Sequence, residues 1–169
     1  MAIYKVKRFS IHRPSEQEIK EKIKEVVKLL PPEYNKWLKI SEELEKLKKQ
    51  KRYFYLNNFD VAFPDFVVMD LEYIADELLS YPNKKKITIA ALDSYDTNYL
   101  YYNFETKEWS WRDYYAGKLN FPLKSAIISY EEKLRDDWRN DTEWLDEEKD
   151  RKDFEEYTKI LIDTLKRKL

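Results

Sequence analysis

The chain has 169 residues, of which 43% are hydrophobic and 16% aromatic, enough apolar material for a core despite a charged content of 38%. It has no cysteine, one histidine and one glycine, which excludes disulfides, thiolate nucleophiles, cysteine-based zinc sites and glycine-rich phosphate loops. The net charge of −1 is unevenly placed, because residues 1–60 hold 15 Lys/Arg and 9 Asp/Glu (+6) whereas residues 61–169 hold 17 and 24 (−7).

The chain shows no targeting or membrane signal. No run of about 18 apolar residues occurs, and the start MAIYKVKRFS lacks a hydrophobic signal core. We therefore expect a cytoplasmic protein that does not enter a membrane.

The first third predicts an edge strand and two helices. Ala2 to Phe9 alternates weakly, and its charges suit an edge strand. Ser15 followed by Glu18 has capping-box spacing, and Pro31 ends the helix that begins there. One apolar stripe at helical period runs along this helix and consists of Ile19, Ile23, Val26, Val27 and Leu30.

The second helix has an apolar seam and a basic end. The seam consists of Trp37, Ile40, Leu44 and Leu47. The basic cluster that follows consists of Lys48, Lys49, Lys51 and Arg52. Cations are favourable at a helix C-terminus, so we prefer a capping role to nucleic-acid contact.

The middle of the chain predicts further strands around a helix. Arg52 to Leu56 and Phe66 to Val68 have strand composition, and Asp70 is expected to cap a helix over Leu71 to Tyr81. Lys86 to Tyr115 then predicts a three-stranded antiparallel meander, with Glu105 to Lys107 in a hairpin turn.

The last third is helical and acidic. A helix is predicted from Pro122 to Trp138. Residues 131–156 are strongly acidic, with 13 Asp/Glu against 6 Lys/Arg. From Asp146 to Lys168 the pattern predicts a terminal amphipathic helix that docks on the body of the protein. We predict an α+β fold with a central antiparallel sheet of about four to six strands, surrounding helices and an added C-terminal helix. Residues 1–140 would form the domain, and residues 141–169 an extension packed on it.

Aromatic residues of the meander have three interpretations. Tyr99, Tyr101, Trp109 and Trp111 could be core, an exposed protein-binding surface, or a platform on which nucleic-acid bases stack. Only Lys107 and Arg112 lie nearby to hold phosphate, which disfavours the last of these.

The sequence offers no catalytic constellation. Asp93 and Asp96 fit a turn better than a metal site, because hard cations need several converging oxygens. Glu105, Glu108 and Asp113 flank tryptophans, yet nothing separates them into the acid and base that glycoside hydrolysis uses. We predict a protein that is not an enzyme and has no metal site or cofactor.

The order of elements resembles the SUKH superfamily over about residues 16–138. The motifs are IKEVVKLLPPEYNKWLK with its Leu30, Pro31 or Pro32, Tyr34 and Leu38, then FVVMDLEYIADEL, KITIAALDSYDTNYLYYNF, EWSWRDYY and SAIISYEEKLRDDW. The chain departs from the family pattern in lacking the Asn-Gly-Gly after the second helix and in having Thr88 where the family has proline.

The resemblance implies a domain that works by binding, as in immunity proteins that cover a toxin's active surface. An acidic inhibitor face would suit the basic cleft of a nuclease. The predicted partner-binding residues are Trp109, Trp111, Asp136, Asp137, Trp138, Asp141, Glu143, Trp144, Asp146, Glu147 and Glu148.

Two other function classes remain open at this point. The chain could be a structural or assembly protein of a phage or mobile element that oligomerises through its terminal helix, or a nucleic-acid-binding module that uses the basic first third. A protein partner is the main expectation, nucleic acid a lesser one, and the chain would be a monomer or a homodimer.

Overall fold

A computed structural model describes residues 13–53, 64–93, 99–110, 118–119, 122–132, 134 and 148–168 of the chain. These residues form five helices and an antiparallel sheet, so the predicted α+β class is confirmed. The helices are α1 (Glu16–Leu29), α2 (Tyr34–Lys51), α3 (Leu71–Ser80), α4 (Pro122–Glu132) and α5 (Glu148–Lys168). The strands are β1 (Pro64–Val68), β2 (Lys86–Asp93), β3 (Tyr99–Asn103), β4 (Glu108–Ser110) and β5 (Lys118–Leu119).

The sheet has the strand order β1-β2-β3-β4-β5, and each strand pairs antiparallel with the next. The predicted meander corresponds to β2, β3 and β4, while β1 and the two-residue β5 extend the sheet at its edges. The β3–β4 turn forms without glycine because the Asn103 side chain accepts the N–H groups of Glu105 and Thr106 at 3.0 and 3.1 Å. Lys107 then takes the left-handed φ of 59° that closes the turn.

Local sequence signals fix the helix ends. The N–H of Glu18 donates to Ser15 Oγ at 3.2 Å and the N–H of Tyr73 to Asp70 Oδ1 at 2.8 Å, so both predicted N-caps are confirmed. Helix α1 ends at Leu29, just before Pro31, because the residue preceding a proline is driven out of the helical region.

One predicted element differs from the structure, and three predictions fall at least partly outside the described residues. Arg52 is not in a strand; it ends α2 with a left-handed φ of 50°, and Tyr53 follows as a buried loop residue. Residues 54–56 of that prediction, and the predicted strand from Ala2 to Phe9, lie outside the described residues. Helix α4 is described as far as Glu132, and the rest of the predicted helix also lies outside the described residues apart from Leu134.

The core lies between the sheet and α2. Trp37 of α2 packs edge-on against Phe66 of β1, with ring centres 6.2 Å apart, and against Trp109 of β4 at 4.9 Å. Helix α5 packs on α2, α4 and β1 through a buried stripe, as expected for docking on its own body. That stripe consists of Phe154, Tyr157, Leu161, Ile162 and Leu165.

Candidate functional site

Most of the predicted partner-binding residues lie outside the described part of the chain. These are Trp111, Asp136, Asp137, Trp138, Asp141, Glu143, Trp144, Asp146 and Glu147. Glu148 is the first residue of α5, and only its backbone is described. Around residues 136–147 of this predicted site, the structure therefore describes only the helices on either side, α4 and α5.

Trp109 is a core residue. Its side chain is 9% exposed and packs in a tilted arrangement against Trp37 and Tyr102, with ring centres 4.9 Å apart in each pair. Trp109 therefore has little free surface for the partner contact that the sequence analysis predicts. The core interpretation is the correct one for this residue.

The four rings that were considered as a possible stacking platform do not form one surface. Tyr102 lies directly opposite Trp109 in the β3–β4 register, so both face the core, whereas Tyr99 and Tyr101 point to the other side of the sheet. Their rings are half-buried and 6.2 Å apart. Because strand side chains alternate, Trp109 cannot join them.

A buried polar cluster around Asp65 joins the sheet to three helices. The Asp65 carboxylate is buried in β1 and accepts from Lys48 Nζ of α2 at 2.8 Å, from the Tyr157 hydroxyl of α5 at 2.6 Å, and from the N–H of Phe66 at 2.8 Å. The hydroxyl of Tyr130 in α4 donates to the Asp65 carbonyl at 2.5 Å and to the Leu92 carbonyl at 3.2 Å. We call Lys48, Asp65, Tyr130 and Tyr157 the Asp65 cluster.

Lys48 and Asp65 form a buried ion pair in this cluster, with 2.8 Å between Lys48 Nζ and Asp65 Oδ2. Burial alone would lower the pKa of Lys48, but the adjacent Asp65 and Glu45 carboxylates outweigh it and raise the Lys48 pKa above its usual value. Glu45 lies 2.9 Å from Lys48 Nζ on the solvent side. With a side chain only 4% exposed and both oxygens occupied, Asp65 is a structural carboxylate without access for a substrate.

The Asp65 cluster changes the interpretation of the basic cluster that ends α2. Lys48 turns inward to Asp65, and Lys51 lies 3.8 Å from Glu156 of α5. Two of the four cations thus join α2 to its surroundings, which leaves a weaker basic patch than the sequence suggests.

Two further tyrosines, Tyr34 and Tyr53, are also buried. The Tyr34 hydroxyl donates to the Met69 carbonyl at 2.6 Å and thereby connects the start of α2 to the loop before α3. Burial, together with nearby carboxylates, raises the pKa of Tyr34 and of Tyr53 to about 12. Both side chains are therefore held in their neutral form.

The described residues offer neither a metal-binding cluster nor a helix that could span a membrane. Among them, no group of three or more His, Asp or Glu side chains is placed to hold a metal ion. Asp96 and the side chain of Asp93 lie outside that part of the chain. None of the described helices has the length and apolar character needed to cross a bilayer.

Comparisons with protein-family models, with curated proteins and with solved structures found no match to this chain. The resemblance to the SUKH superfamily is therefore a prediction from the sequence alone.

Proposed function

We propose that this chain is a non-catalytic binding protein of the immunity or inhibitor type. It neutralises a toxin or nuclease through the acidic, tryptophan-containing segment 136–148, which we call the acidic segment. The resemblance to the SUKH superfamily belongs to this proposal. The order α1-α2-β1-α3-β2-β3-β4 agrees with the order of elements that the resemblance implies.

The observation that carries the proposal is how the chain is held on either side of the acidic segment. Tyr130 of α4 and Tyr157 of α5 both donate to Asp65, and the two helices pack on each other. The connection between these helices thus starts and ends at fixed places on the body. Fixing the two ends of a binding segment lowers the conformational entropy lost when a partner is bound.

The composition of the segment fits a basic partner surface. Residues 136–148 hold seven Asp/Glu and one Arg, and they include Trp138 and Trp144. Complementary charge speeds association and discriminates against wrong partners, while tryptophan is the residue type most enriched among binding hot spots. The proposed roles are steering for the acids and anchoring for the two tryptophans.

The test is capture of the partner from native cell extract with the tagged chain, with and without nuclease treatment. We expect one stoichiometric protein that survives the nuclease. It should be lost with the variant Asp141→Lys/Glu143→Lys and kept with the control Glu42→Lys/Asp163→Lys, which reverses two exposed acids elsewhere. Recovery of nucleic acid alone, or equal capture by both variants, would refute the proposal.

A further inference from the structure

Helix α1 is held to the rest of the protein mainly by α3. Among the described elements, α3 is the only one against which α1 packs extensively. Val26 is the one fully buried residue of α1, while Ile19, Ile23 and Leu29 are only partly buried. A helix that buries so little apolar surface gains little from docking, since the hydrophobic effect is roughly proportional to the area removed from water.

Two polar contacts of α1 lie inside the helix itself. Lys22 Nζ is 2.9 Å from the carboxylate of Glu25, and the Gln17 amide donates to Glu21 at 3.3 Å. Neither contact fastens α1 to another element. Helix α5 is held differently, because its buried apolar stripe and the Asp65 cluster fix it to the sheet and to α2.

The boundary between α1 and α2 is sharp. Leu30 is extended, with a ψ of 150°, and Pro31 and Pro32 follow, so the helical hydrogen-bond pattern of α1 does not continue into α2. The start of α2 is fixed separately: the N–H of Tyr34 donates to the Pro31 carbonyl at 3.1 Å, and its hydroxyl donates to the Met69 carbonyl at 2.6 Å. The contacts that place α2 are therefore kept when α1 moves away.

We infer that α1 is a separately opening helix of this fold, which leaves α3 at Leu30 and Pro31 while the sheet, α2 and α5 stay folded. A helix of 14 residues is marginal by itself in water, so α1 loses its helical hydrogen bonds when it leaves α3. Opening exposes Val26 and the side of α3 against which α1 packs. The inference is independent of the proposed inhibitor function, because it does not involve the acidic segment.

Thiol labelling tests the inference, because the chain has no cysteine and a single introduced thiol reports on one position. Val26→Cys places the thiol in α1, and the control Ala90→Cys places it in β2, inside the sheet; both positions are fully buried. With a chromogenic disulfide reagent, Val26→Cys should react at least about tenfold faster than Ala90→Cys. Low urea should accelerate Val26→Cys only slightly and Ala90→Cys steeply, because opening of α1 exposes far less surface than global unfolding.

Hydrogen exchange is a second measurement, and it needs no change to the chain. The amides of α1 should exchange at least about tenfold faster than those of α2 and α5. Leu44→Ala, which removes a buried side chain of α2, should speed exchange in α2 and α5 and leave α1 unchanged, because Leu44 stays packed when only α1 opens. If Leu44→Ala does not fold, the milder Ile40→Val in the same helix replaces it.

Equal labelling rates with the same urea dependence at the two thiols would overturn the inference. So would a Leu44→Ala variant in which the α1 amides are accelerated as much as those of α2. Either result would mean that α1 opens only when the whole chain unfolds.

Discussion

Replacing Asp65 by asparagine tests the role of the Asp65 cluster. The change keeps the side-chain shape but leaves Lys48 without its buried counter-ion, 2.8 Å away. Breaking a buried ion pair costs about 3–5 kcal/mol. Lys48 keeps Glu45 at 2.9 Å, with a side chain 51% exposed, so we expect the lower end, about 3 kcal/mol.

Urea unfolding monitored by tryptophan fluorescence would measure this loss. For a chain of this size about 3 kcal/mol corresponds to a fall in Tm of roughly 6–12 °C. In a Lys48→Met background the same asparagine substitution should cost at least about 1 kcal/mol less, because the two residues are coupled. A cost below about 1 kcal/mol, or equal costs in the two backgrounds, would refute the reasoning.

Three further predictions concern the same scaffold. The pKa values of Tyr34 and Tyr53 are raised from 10.0 to about 12, so unfolding releases protons between pH 10 and 12, and the free energy of unfolding should hold below pH 10 and fall from pH 10 to 12. Urea titrations of Tyr34→Phe/Tyr53→Phe should show a smaller fall over this pH range. An equal fall in the variant and the wild type would contradict the attribution to these two tyrosines. Asp70→Ala should lower the free energy of unfolding by about 1 kcal/mol, since it removes the cap of α3, and Asp70→Ser should restore most of it; equal losses would exclude capping as the cause. Trp109→Ala should lower the free energy of unfolding by about 3–5 kcal/mol, as expected for a core ring, which thermal unfolding would measure. A loss under about 1 kcal/mol would contradict the core position of Trp109.

Much of the fold could be predicted from local signals. The cap at Ser15, the stop at Pro31 and the cap at Asp70 each depend on chemistry within a few residues, and the structure keeps all three. The burial pattern along β3 follows the simple alternation of strand side chains, which any strand of this sequence would show. These features need no knowledge of distant contacts.

The errors came from long-range contacts. Lys48 looked like an ordinary C-terminal cation, but its partner Asp65 lies 17 residues away and the Tyr157 that completes the cluster is 92 residues from Asp65. No local pattern signals such a cluster. The one available hint was a buried-strand position occupied by an acid next to Pro64 and Phe66.

The arrangement of the aromatic rings also depends on contacts between distant residues. Side chains on one strand can be assigned to two faces, but the register between strands decides which faces coincide. Tyr102 pairs with Trp109, so Trp109 lies with the core face of β3 instead of with Tyr99 and Tyr101. A hairpin without an Asn-Gly signal leaves that register undetermined in the sequence.

Growth of cells that express the captured partner tests the inhibitor function most directly. The partner alone should stop growth, co-expression of the wild-type chain should restore it, and Asp141→Lys/Glu143→Lys should fail to restore it, whereas Glu42→Lys/Asp163→Lys should succeed. A partner that is harmless by itself, or that stays toxic when bound to the wild-type chain, would contradict the account.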